Sequence, residues 1–197
     1  MADIVLIALH YQNENCHPDG KIKIGIGPES EWRYERLDNA RRLFKGLREA
    51  GIPIIHVKAQ VNKDGSNIIA NNFIFKQWVE IGAWPEGSWG ADFVEGLGPE
   101  EGEHVVIHTR NNGFYGSNLE EILYLFKPRH LLCSGVSTAY AVESTVRHAT
   151  DVGYEVTVVS DACSTATQEQ HQAALNAMKL LAEINTVDEV LANLSKI

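Results

Sequence analysis

The chain has 197 residues, 44% hydrophobic and 22% charged, a balance that suits one globular domain spanning 1–197 with a sizeable core. Its formal net charge of −9 repels polyanions, and no stretch of Lys or Arg makes a local exception, so neither nucleic acid nor anionic membrane is an expected partner. The early apolar run Ile4–Leu9 is far shorter than a signal-peptide core or the roughly 20 residues that cross a bilayer, which predicts a cytoplasmic protein.

In chain order, Ile4–Leu9 is a continuous apolar run of strand length, and residues 53–57, 105–107, 131–133 and 156–159 repeat the pattern. Continuous rather than alternating runs mean strands buried on both faces. Between them the 3.6 period predicts helices over 37–50, 118–126, 138–152 and 168–181, each with Gly or Pro close behind or a capping residue ahead. Ser117 with Glu120, Thr167 with Gln170 and Thr186 with Glu189 have capping-box spacing, and the last opens a short final helix. Strands alternating with such helices call for an α/β fold, a three-layer α/β/α sandwich around a mostly parallel sheet. In these sheets ligands bind beyond the carboxyl ends of the strands, and His10, His108 and the turn at 137–141 all fall at that edge.

The exception is the stretch 61–97, which has no clean period and carries Trp78, Trp84 and Trp89. A loop region this long is uncommon unless it is functional. The tryptophans are expected to pack it onto the body or onto a second subunit, with ligand contact the competing role. Gly25-Ile26-Gly27 lacks a preceding Rossmann strand and a third glycine, so no dinucleotide cofactor is expected, nor any other cofactor. Cys16, Cys133 and Cys163 are widely spaced and odd in number, which fits reduced thiols, and no CxxC pair suggests a structural metal. Cys133, inside an apolar run, reads as a buried small hydrophobe. A metal held by His10, His56 and His108 from three strands is a further arrangement to look for.

Residues 130–160, with Gly135, Val136, Ser137, Thr138, Ala139, Tyr140, Ala141 and Val142, closely resemble the nucleophile segment of the isochorismatase-like cysteine hydrolases. That family's pattern runs G-V-x-T-x-x-C-V, and its cysteine falls on Ala141. The stretch 5–20 resembles the family's strand followed by D-x-Q-N/D, with Gln12 and Asn13 matching and the aspartate falling on His10. Residues 102–123 resemble its V-x-K-x-R-x-S-A-F-x-G-T-x-L run, where Arg110, Phe114, Gly116, Ser117 and Leu119 match and the lysine falls on His108. Asp161, Ala162, Cys163 and His171 fit the family's fifth strand and following helix, in structural roles. The resemblance implies six strands in the order 3-2-1-4-5-6 and a subgroup without the Asp-Lys-Cys triad.

The resemblance also frames the chemistry. A cysteine at a helix start gains nucleophilicity from the helix N-terminus and a nearby cation, whereas a methyl group cannot attack. Ala141 keeps its backbone N–H, which can join an oxyanion-binding turn. Family members that hydrolyse the vinyl ether of isochorismate lack the cysteine and protonate the substrate instead. His10 is accordingly the expected acid or base and His108 its partner, with Gln12, Phe114, Ser137, Thr138, Tyr140 and Ala141 expected to contact substrate. Thr138 also matches where cysteine does the chemistry, so it shapes the turn; Tyr11, Cys16 and His17 receive no role. The expected function is hydrolysis of an amide, ester or vinyl ether of a small molecule by acid–base chemistry, varying with pH across about 5 to 8. The alternative is a catalytically silent ligand-binding protein of the same fold. A homo-oligomer is expected from the tryptophan-bearing loop and from oligomerisation in similar proteins.

Overall fold

The computed structural model describes residues 3–22 and 31–194, so Gly25, Ile26 and Gly27 lie outside the described residues. The strands are β1 (Ile4–Leu9), β2 (Ile54–Ala59), β3 (His104–His108), β4 (His130–Gly135), β5 (Glu155–Val159) and β6 (Glu183–Asn185). All pair in parallel, in the order β3-β2-β1-β4-β5-β6. The helices are α1 (Asn13–Cys16), α2 (Glu31–Glu49), α3 (Phe73–Glu80), α4 (Leu119–Phe126), α5 (Glu143–Asp151), α6 (Gln168–Met178) and α7 (Val187–Asn193). None is long and apolar enough to cross a membrane among the described residues.

Every residue of β1 and β4 is buried, as continuous apolar runs require. Successive side chains point to opposite faces. Val5, Ile7 and Leu9 pack against Leu119 and Leu123 of α4, Val146 and Ala149 of α5 and Met178 of α6. Ile4, Leu6 and Ala8 meet Leu43, Phe44 and Leu47 of α2 and Val190 of α7 on the other face. Fully burying one such large side chain contributes roughly 1.5–3 kcal/mol, so both layers fix the height at which β1 ends and delivers His10. Gly135 allows the closest approach in the sheet: its φ is +150°, and a Cβ there would run into the Leu9 carbonyl.

Several boundaries differ from the sequence reading for local reasons. The helix expected at 138–152 is split into a π-helical turn, Thr138–Val142, followed by α5. The Ser137 carbonyl accepts from Val142 N–H at 3.1 Å and from Tyr140 N–H at 3.3 Å, which widens the first turn. Asn118 holds the N-cap position of α4 without a side-chain bond; the Ser117 hydroxyl accepts from Leu119 N–H at 3.2 Å while donating backward to the Gly113 carbonyl at 2.6 Å, so no capping box with Glu120 forms. Thr167 accepts from Gln170 N–H, but the Gln170 side-chain oxygen does not return the bond. Only Thr186 with Glu189 forms a reciprocal box. Residues 73–80, read as aperiodic loop, form α3, with the Asn72 side chain accepting from Phe75 N–H at 3.0 Å.

Candidate functional site

The three carboxyl-edge features converge. His10 follows β1 and occupies left-handed backbone space at φ 54°, a region a His tolerates at modest cost. Its N–H donates to the Val57 carbonyl at 2.8 Å, and its carbonyl accepts from Gln12 N–H at 2.8 Å and the Cys16 thiol at 3.7 Å. His108 closes β3. The intervening β2 ends on Ala59, in register with His108, too small to separate the two rings. His10 Nε2 and His108 Nε2 lie 2.6 Å apart, and both residues are buried, at 4% and 3% exposure.

The protons in this contact follow from the outer partners. His108 Nδ1 lies 3.1 Å from the Asn112 carbonyl, which can only accept, so Nδ1 carries the hydrogen. In a neutral His108, Nε2 is then an acceptor, and His10 Nε2–H must be its donor. His10 Nδ1 is left without a proton. Burial pushes the His10 imidazole well below its ordinary value, and the positive charge a protonated His108 would bring adds to this. A hydrogen bond with the Val136 backbone opposes both. Burial likewise lowers His108 to about 4, against the Asn112 hydrogen bond. The expectation of titration across pH 5 to 8 is therefore corrected: desolvation moves the pair to lower pH, and it is neutral at pH 7.

His10 forms one wall of a crevice whose empty space reaches ≈ 350 Å³ out to its mouth, of which ≈ 20 Å³ is wide enough for the centre of a water. That is room for about one water molecule. Ser137, Tyr140 and Ala141 share the wall, with Ala141 at 1% exposure. Trp78 and Trp84 close it from residues 61–97, edge to face with ring centroids 4.2 Å apart. These two tryptophans pack the loop onto the body, while Trp89 is half exposed and lies edge-on to His17. A larger crevice of ≈ 590 Å³ lies by His130, Glu155 and Lys179, at the amino ends of β4 and β5, the edge parallel sheets do not use for ligands.

Other expected contacts turn elsewhere. Gln12 is fully buried; its oxygen accepts from Ala59 N–H and its NH₂ donates to the Ala59 and Ala91 carbonyls, each at 2.8 Å. That leaves it no donor for a ligand, and its work is to tie β2 and residue 91 to the turn after His10. Phe114 faces the core and stacks on His148 at 4.6 Å, away from the crevice. Thr138 Oγ1 meets His171 Nδ1 at 2.8 Å beneath the turn, as a shaping residue would. Ser137 Oγ pairs with Thr165 Oγ1 at 2.9 Å. His56 does not join a metal site: it points to the α2 face and meets Glu103 Oε2 at 2.8 Å. Among the described residues no three His, Cys, Asp or Glu side chains are grouped to hold a metal. All three cysteines are buried; burial pushes Cys16 and Cys163 up to about 12 and Cys133 also upward, so none is a thiolate at neutral pH.

The residue the sequence reading missed is Asn112. Its side-chain oxygen accepts from Phe114 N–H at 2.8 Å and Tyr115 N–H at 3.2 Å, and its NH₂ donates to the Ser144 carbonyl at 3.0 Å. This fixes the carbonyl that sets the His108 tautomer. The run Asn111-Asn112-Gly113 was its signal, since an Asn side chain that bonds the backbone two residues on makes an Asx-turn.

The comparisons with known proteins agree with this architecture. A profile of the Isochorismatase domain matches residues 5–189. The chain belongs to the isochorismatase family. Within the family it is 36% identical over 183 residues to a ureidoacrylate amidohydrolase, RutB, of Caulobacter segnis, covering 86% of this chain and 75% of that one. It is 30% identical over 145 residues to a probable inactive nicotinamidase of Arabidopsis thaliana, covering 73% and 74%. The solved structure of an isochorismatase family protein from Desulfovibrio vulgaris superposes over 100% of both chains with a TM-score of 0.87 at 24% identity, a likeness of fold.

Proposed function

We propose that this chain is an isochorismatase-family hydrolase of a small amide, ester or vinyl ether that uses acid–base chemistry in place of a cysteine nucleophile. The observation that carries the reading is the 2.6 Å contact between His108 Nε2 and Nε2 of His10, a residue that lines the same crevice as Ala141. With Asn112 holding the hydrogen on His108 Nδ1, His10 Nδ1 is the basic nitrogen of the pair. For an acyl substrate, it takes a proton from an attacking water as the water oxygen bonds to the substrate carbon. The new charge is shared through the Nε2 contact with His108. The same proton then passes to the leaving nitrogen or oxygen as its bond to carbon breaks. Because the Tyr140 and Val142 N–H groups already serve the Ser137 carbonyl, the amide of Ala141, a residue of the crevice wall, is assigned to the developing oxyanion. For a vinyl ether, the protonated pair supplies the proton to carbon instead.

The amidohydrolase relative supports an amide as the first substrate class to test. The probable inactive nicotinamidase supports the alternative, a catalytically silent ligand-binding member. We also propose a cytoplasmic homo-oligomer with neither nucleic acid nor membrane as partner; exposed Val105 and Ile107 on edge strand β3 support self-association, and the net charge supports the rest. The deciding experiment is a turnover screen of small amides, esters and vinyl ethers with product detection. Activity that drops by about 10²-fold in His10→Asn supports the hydrolase. No turnover by folded protein that still binds a member of the panel leaves the silent alternative.

A further inference from the structure

The His10–His108 pair has places for three protons and, when neutral, holds two. Nδ1 of His108 is bonded to the Asn112 carbonyl, and the Val136 backbone hydrogen bond favours a protonated His10. If both Nδ1 atoms donate outward, the two Nε2 lone pairs face each other at 2.6 Å and need a proton between them. The backbone hydrogen bonds at Val136 and Asn112 thus favour a charged pair, while burial opposes it.

The surroundings favour one kind of compensation. No carboxylate lines the crevice among the described residues, and Tyr140 is the only ionisable side chain on its wall besides His10. Glu14 of α1 turns to Lys21, 3.9 Å away, and Cys16 donates its thiol to the His10 carbonyl. Arg33 of α2, 5% exposed, places its guanidinium 3.0 Å from the carbonyl of Asn15, a wall residue. On the other sides, Arg110 lies over the Phe75 ring, Lys58 over Phe93, and His148 by the Asn112 NH₂; Glu143 of α5 is paired with Arg147. The wall itself is rich in donors. Trp78 and Trp84 are 4% and 2% exposed, and their indole N–H groups are buried without an acceptor. An orphaned buried donor destabilises the empty pocket, and an entering acceptor relieves that cost. The Asn15 and Asn111 amides stand on the same wall.

We propose that this pocket binds a small carboxylate together with one proton, the proton entering at His10 Nδ1 from solvent and the indole and amide N–H groups receiving the anion. This rests on the hydrolase reading and deepens it, since a carboxylate is what hydrolysis of an amide or ester leaves behind. The ligand is then the acid product, and the substrates are acyl compounds rather than vinyl ethers. An anion beside the pair favours its charged form, offsetting the burial that keeps the empty site neutral. Binding and protonation therefore reinforce each other equally in both directions.

The test uses formate, the smallest carboxylate, with formamide as its neutral control. Calorimetric titration of the intact protein in two buffers of different ionisation enthalpy counts the protons. The expected result is uptake of about one proton per formate, with Kd weakening about tenfold per pH unit from pH 6 to 8. Formamide should show neither effect. Ring ¹⁵N spectra of the unmodified protein with saturating formate should show both Nδ1 atoms protonated and a proton shared between the Nε2 atoms. Formate binding without proton uptake, no formate binding up to 0.1 M, or ring nitrogens that stay neutral on binding would each overturn the proposal. If formate fails while an amide is still hydrolysed in a His10-dependent way, this inference falls and the hydrolase stands. If formate behaves as expected and nothing in the substrate panel turns over, the binding site stands and the hydrolase falls.

Discussion

Two buried histidine clusters sit within a few residues of each other in the sheet and have opposite electrostatic designs. On the α2 face, His56 meets Glu103 at 2.8 Å, and Glu103 in turn accepts from Arg48 Nε and Nη2, both at 2.8 Å. Burial alone would raise the Glu103 carboxyl, but bonds from Arg48, the Glu100 N–H and His56 draw it down to about 2. Every charge there has an opposite charge in contact. At the carboxyl edge, His10 and His108 meet each other and neutral carbonyls, with no carboxylate in contact. The first arrangement holds one charge state across the physiological range and ties α2 to the entry of β3. The second is neutral because burial makes charge expensive, and it is therefore the cluster whose charge a ligand can change.

The largest expected effect breaks the first cluster. Glu103→Ala takes the carboxylate from His56 and leaves Arg48 with only Glu100 and the Gly98 carbonyl, and should cost roughly 2–4 kcal/mol in denaturant unfolding, discounted for partial exposure. Turnover per folded molecule should persist. Acid unfolding separates the clusters next. The folded pKa of His108 lies below its ordinary 6.5, so its neutral state stabilises the fold fully above about pH 6.5 and that stability is lost as pH falls toward 4. The loss is about 3 kcal/mol at most, and His108→Asn should flatten the curve in that window. Glu103 is a depressed acid, so its contribution persists above pH 4.5 and is lost between 4.5 and about 2. A smaller expected change is in fold stability for His10→Asn, about 1–2 kcal/mol, since it leaves the buried His108 Nε2 without its partner. The smallest is none: alkylating reagents should leave hydrolysis intact, because Cys16, Cys133 and Cys163 are buried thiols and none stands at position 141. Rapid inactivation by iodoacetamide, mapped to one of them and blocked by ligand, would count against that.

The two clusters also show what the sequence could and could not tell. Hydropathy runs located five strands, and their carboxyl ends placed His10, His108 and the turn after β4 at one edge, because a parallel sheet aligns its strand ends. β6 is only Glu183–Asn185, partly buried, so no apolar run announced it. His56 resembled a third ligand because strand runs do not say which face a side chain takes; its register opposite Ala8 sets it on the α2 face. Gln12 and Phe114 matched the family pattern, yet matching a pattern does not distinguish a residue that touches substrate from one that holds the wall. The pair's depressed titration was hidden for the same reason: the burial that causes it comes from Trp84 and the loop packed above, long-range contacts no local pattern encodes.

The central claim is that His10, supported by His108, supplies the acid–base chemistry in a site that has Ala141 where the family carries cysteine. The most direct measurement is kcat/KM against pH on a neutral amide or ester, for the natural sequence, His10→Asn and His108→Asn. The base must be neutral, so the rate should be level from about pH 6 to 8 and fall at lower pH as the pair protonates, with each variant lower by about 10²-fold or more. A rate that does not fall down to pH 4, together with unchanged turnover in both variants, would contradict the account and remove the pair from the reaction.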